Sequence, residues 1–150
     1  MGIINIVKNV KKVHPENIIL IKIGKFYYSY GKDAYILAYM FQYKLMKIDQ
    51  YNVYSCAFPM QSYAKVIAQL ENNKINYLIL DRRNNYDVDE KSDNKNLNTY
   101  HKWFQKAQQY INIKNRIDTV YDYIMTHIED ETTKEKLSKM EEVINEARKV

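Results

Sequence analysis

Beyond residue 96 the apolar residues of this chain recur only at helical spacing, so any sheet must be built from the residues that precede it. LNTYHKWFQKAQQYINI, KNRIDTVYDYIMTHI and TTKEKLSKMEEVINEARKV all show that spacing. Trp103, Phe104, Ala107, Tyr110 and Ile111 form one stripe, and Ile117, Val120, Tyr121 and Ile124 a second. Leu137, Met140, Val143, Ile144 and Ala147 form a third. Stripes of this kind are core or partner-helix surfaces.

The front of the chain mixes the two periods. NIILIKI (17–23) is rich in β-branched residues and reads as a buried strand. Gly24 marks a bulge or a close backbone approach, and KFYYSY follows as a second strand or an extension of the first. Gly31 then turns the chain, with Asp33 where an N-cap or first-turn acid belongs. Ala34, Leu37, Ala38, Phe41 and Leu45 share a helical face, with Tyr35, Tyr39 and Tyr43 as a neighbouring packing stripe. MKIDQYNVYSCAF reads as one or two strands with a turn near residues 49–52. Pro59 opens a helix carrying Tyr63, Val66, Ile67 and Leu70 on its apolar side, and INYLILD (75–81) is a short strand.

Together these elements predict an α+β fold, a mixed sheet flanked by helices and followed by a C-terminal helical region. The expected division is a domain over 1–83, a polar loop or linker over 84–96, and a helical tail over 97–150 that packs on the domain or serves association.

Composition narrows the function classes. A chain of 150 residues that is 46% hydrophobic can build one core. One cysteine, Cys56, leaves no intramolecular disulfide and reads as a buried thiol. No apolar run reaches membrane-spanning length, and MGIINIVKNVKK lacks the order of a signal peptide, so a cytoplasmic protein is expected. Residues 1–50 carry eight lysines against three acids, and that excess equals the net charge of +5 for the whole chain. The asymmetry suits a polyanionic partner near this end, or a plain solvated basic face.

His14, His101 and His127 are isolated, and no phosphate-cradling Gly-rich loop is present. Asp81 precedes Arg82 and Arg83 without a second acid at a diagnostic spacing. Asp87, Asp89, Glu90 and Asp93 lack the glycine and closing glutamate of a calcium loop and read as a solvated acidic loop. No catalytic residue, metal or cofactor is expected.

GKFYYSYGKDA carries the remaining signal. Strand alternation sends Phe26, Tyr28 and Tyr30 to one face and Tyr27 and Ser29 to the other, with Lys25 and Lys32 flanking. An exposed aromatic there can stack on a base or wedge into a duplex while lysines neutralise phosphates. A buried aromatic strand accounts for the same letters.

ILIKIGKFYYSYGKDA resembles the segment near the start of the MutS mismatch-repair family, where a hydrophobic strand runs into a Gly-Asp-Phe-Tyr-Glu motif. CAFPMQSYAKVIAQL is similar to the family's next landmark, a strand, a Pro turn and a helix, and INYLILDR stands where its following strand lies. The resemblance covers residues 16–83 and the N-terminal mismatch-recognition domain only, so a stand-alone bacterial relative without the family's ATPase is expected. It implies that Phe26 is the ring inserted beside a mispaired base. Tyr28 stands where the family has Glu, and Lys25 where it has Asp. A phenol offers one hydrogen bond without a carboxylate's charge, so these departures favour general affinity for a polyanion over mismatch discrimination.

The expected function is non-enzymatic binding of nucleic acid, duplex DNA first. Lys22, Lys25 and Lys32 are assigned to phosphates, Phe26 to stacking, and Tyr28 and Tyr30 to its support. The alternative is an assembly module that reuses the fold, with the C-terminal helices as a homo-oligomer surface.

Overall fold

Ile18, Ile19, Leu20 and Ile21 are consecutive and all buried, so β1 (Ile18–Ile23) lies inside a sheet covered on both faces. The computed structural model describes residues 2–92 and 98–148. The order of elements is α1 (Ile3–Val13), β1, β2 (Phe26–Tyr30), α2 (Lys32–Phe41), β3 (Met46–Ile48), β4 (Val53–Pro59), α3 (Tyr63–Asn72), β5 (Tyr77–Asp81), β6 (Asp87–Lys91), α4 (Thr99–Thr126) and α5 (Glu131–Arg148). Among the described residues six strands form one sheet, in the order β3-β4-β2-β1-β5-β6. β1 and β5 pair in parallel and every other neighbour is antiparallel, so the sheet is mixed as expected.

Alternation divides the core between the two faces. Ile18, Leu20, Tyr27, Cys56, Phe58, Tyr77 and Ile79 point to the side covered by α2, α3 and the start of α4. Ile19, Ile21, Leu78 and Leu80 point to the other side, where Val7 of α1 covers them. The tyrosine stripe of α2 is packing: Tyr39 lies 6.0 Å from Trp103 and 5.2 Å from Tyr110, and Tyr35 lies 6.1 Å from Phe104, ring centre to ring centre.

Three local expectations change. Gly24 makes no bulge; with φ of +62° it holds the first of the two loop positions joining β1 to β2, where a tight hairpin turn needs glycine. Pro59 ends β4, a 3₁₀ turn follows, and α3 starts only at Tyr63. Residues 84–96 are not wholly loop, because Asp87–Lys91 forms the edge strand β6. Its five residues are all exposed, and it is held by backbone bonds to β5 and by the Tyr63 hydroxyl, which donates to Glu90. Asp93 lies outside the described residues. Helix α1 adds an element at the start of the chain, with Ile4 and Val7 on its buried side.

The chain divides into two units, Met1–Ile111 and Asn112–Val150. In the second, the Thr133 side chain donates to the carbonyl of His127, closing the turn before α5, and Lys136 donates to the Tyr123 hydroxyl at 3.0 Å. Among the described residues no helix is long and apolar enough to cross a membrane.

Candidate nucleic-acid interface

The β1–β2 hairpin decides which residues meet solvent. Tyr27 points inward, stacked on Tyr63 at 4.8 Å and Phe58 at 5.4 Å, and Ser29 is buried with its hydroxyl donating to the carbonyl of Cys56 at 2.9 Å. Those inward anchors force Phe26, Tyr28 and Tyr30 to the opposite face. Phe26 is 45% exposed, a large value for a phenyl ring at the start of a paired strand.

Phe26 lies opposite Pro59, and the amide of Met60 donates to the carbonyl of Lys25 at 2.9 Å. That bond clamps the hairpin tip against the end of β4 and brings in a second exposed apolar side chain, Met60, at 46% exposure. Tyr28 is half-buried, its ring 6.4 Å from that of Phe26. Lys25 is exposed in the turn itself. Phe26, Tyr28 and Lys25 therefore converge as one surface, and the backbone of Met60 adjoins its tip, a neighbour that sequence reading missed.

The other three assigned residues stand elsewhere. Lys22 pairs with Tyr27 across the hairpin and with Asp81 across the parallel ladder, which puts it on the face opposite Phe26. A strand running straight from residue 18 to 30 would have placed Lys22 beside Phe26. The two-residue turn pairs Ile23 with Phe26 and reverses that parity. Tyr30 and Lys32 sit at the far end of β2, about 13 Å along the strand from Phe26. Tyr30 is half-buried against the α1 side of the core, and burial raises the pKa of its hydroxyl. Lys32 is exposed, with its ammonium 5.1 Å from the centre of the Phe104 ring.

Neither remaining chemical candidate is set up for reaction. Cys56 is 1% exposed, and burial pushes its thiol up to about 12. Asp81 is occupied by Arg83, whose backbone amide and guanidinium donate to it at 2.9 and 3.2 Å. The Arg83 side chain holds that carboxyl below its usual range.

The strand order, the hairpin ending in an outward phenyl ring, and the Pro turn beside it together form the candidate site. The family model MutS domain I matches residues 1–99, and the chain belongs to that family. No curated protein matches the chain.

Proposed function

We propose that this protein is a non-enzymatic DNA-binding module in which Phe26 stacks against or wedges beside a base of duplex DNA. The observation that carries the reading is the exposure of Phe26 at the tip of a clamped hairpin, beside an exposed lysine, in a chain of the MutS domain I family. A ring fixed by the backbone loses little freedom on contact, so stacking is not offset by ordering the site. Lys25 takes a phosphate next to the wedge, and Tyr28 supports the ring. Lys22 is left out of this contact, because it lies on the other face.

The test is a fluorescence-anisotropy titration of matched, mismatched and bulged duplexes between about 50 and 200 mM salt. Affinity falls steeply with salt, and Lys25→Ala lowers the magnitude of the log–log slope by about one. With Tyr28 in place of a carboxylate, matched and mismatched duplexes differ by no more than about threefold, less than the tenfold that 1.4 kcal/mol confers. No binding to any duplex at the lowest salt contradicts the reading.

A second reading, self-association, is favoured by the helical unit. Ile113, Ile117, Val120 and Ile124 follow one another at alternating four- and three-residue steps, as do Leu137, Met140 and Ile144 in α5. All of these residues but the half-buried Ile124 stay exposed, with Ile117 at 61% and Ile144 at 52%. The occupant they suit is a second copy of the same helices. Sedimentation gives a dimer that Ile117→Glu together with Ile144→Glu returns to a monomer; a monomeric native chain removes this reading.

A further inference from the structure

Helix α1 covers only part of its side of the sheet. It lies over β1 and β5, where Ile19, Ile21, Leu78 and Leu80 are buried. On the same face, β2, β4 and β3 present Phe26, Tyr28, Tyr30, Ala57 and Met46, none of them buried. Met46 is 59% exposed. Among the described residues, half of one sheet face thus has no buried side chain, and its middle is a row of three aromatic rings on alternate residues of β2, the last of them, Tyr30, packed against the α1 side.

That row ends in a basic groove. Beside Tyr30 lies a cavity of about 450 Å³ with an apolar floor that includes Ile4, Val7 and Val53. Lys8, Lys11, Lys12 and Lys32 also line it. Lys11 is neutralised by Asp33 at 2.9 Å, but Lys8, Lys12 and Lys32 form no ion pair among the described residues. Three lysines without an ion pair among the described residues, lining an apolar cleft, fit an anion that brings flat apolar surface with it.

A duplex cannot lay successive bases on rings set along a strand, because its bases are paired and stacked inside. An unpaired strand can, and an open sheet with aromatic rows is a way that single strands are read. We propose that the uncovered face of β2, β4 and β3 is a track for single-stranded nucleic acid, with bases on Phe26, Tyr28 and Tyr30 and phosphates held by Lys8, Lys12 and Lys32. The track shares Phe26 with the duplex contact and so extends that reading, yet the lysines of α1 belong to the track alone. A strand freed at a distorted duplex would pass from the wedge along β2 to this groove.

The experiment compares a labelled ten-residue oligothymidine with a matched duplex, using the full chain and its Lys8→Gln/Lys12→Gln variant. Both lysines are exposed, and the thermal midpoint of the variant checks that it folds. Expected is binding of oligothymidine that weakens at least about tenfold in the variant at low salt, with duplex affinity changed less than about threefold. A native chain that does not bind oligothymidine overturns the proposal. So does a variant that leaves oligothymidine affinity unchanged, or one that weakens both ligands equally, which would mark a diffuse charge effect. Binding of oligothymidine without duplex would sink the duplex reading and leave the track standing; duplex without oligothymidine would do the reverse.

Discussion

Asp33→Ala is expected to destabilise the protein by about 3–5 kcal/mol, the cost of stripping a buried charge of its partner. Asp33 is 1% exposed and its two oxygens serve three elements besides its own. Oδ2 accepts from the amide of Ile19 in β1 at 3.1 Å, and Oδ1 accepts from Lys11 of α1 at 2.9 Å and from the Tyr100 hydroxyl of α4 at 2.6 Å. Lys11 is itself partly buried, donating also to the carbonyl of Asn17 at 2.8 Å and lying 4.7 Å from the centre of the Tyr100 ring. Alanine would leave an ammonium, a phenol and an amide without their common acceptor. Against a total stability on the order of 5–15 kcal/mol, that loss is large.

Urea unfolding followed by circular dichroism measures it, and a loss under about 1 kcal/mol would show that the cluster is not what ties these elements together. The pH dependence has a definite sign. Burial raises the Asp33 carboxyl above its ordinary value of 3.8, with Lys11 and then Tyr100 opposing. The folded chain then binds the proton more readily than the unfolded one. This group therefore makes stability fall as pH climbs from the unfolded value through the folded one, and adds no slope above that. Asp33→Asn removes this descending component while keeping an acceptor for the Ile19 amide.

Phe26→Ala is expected to weaken duplex binding by about 1–3 kcal/mol, roughly 5- to 150-fold, the range found when a ring stacked on a base is truncated. The fold does not depend on the ring: Phe26 is 45% exposed and the hairpin is held by Tyr27, Ser29 and the Met60 amide. Stability should therefore change by no more than about 0.5 kcal/mol, as for an exposed position away from the core. The pair of results separates contact from folding. Phe26→Trp, which keeps a larger flat face, should retain affinity. Binding by Phe26→Ala within about twofold of the native chain would refute the wedge, since even weak stacking exceeds that.

How far the letters led depends on the kind of signal each element carries. β1 is legible because Ile18 to Ile21 form an unbroken β-branched and aliphatic run, and the outward Phe26 is legible because alternation leaves it no other face once Tyr27 is inside. β6 is not legible: DVDEK has no buried residue, and an edge strand held by backbone bonds leaves no mark on side-chain pattern. α1 has a helical signal in Ile3, Val7 and Val10 that strand-first reading passes over.

The site shows the same division. Lys25 and Tyr28 fall beside Phe26 because they are its neighbours in sequence. Lys22 does not, because one tight turn at Gly24 exchanges the faces of the strands it joins. Met60 comes to the hairpin tip, and the lysines of α1 to the groove beside Tyr30, through tertiary pairing alone, which no spacing along the chain encodes.

Backbone amide chemical shifts of the labelled chain, followed as a short duplex is added, test the central claim most directly. Gly24, Lys25, Phe26, Tyr28 and Met60 are expected to move first and furthest, and Lys22 on the opposite face to move little. Shifts confined to residues 112–148, or absent altogether at saturating duplex, would contradict it.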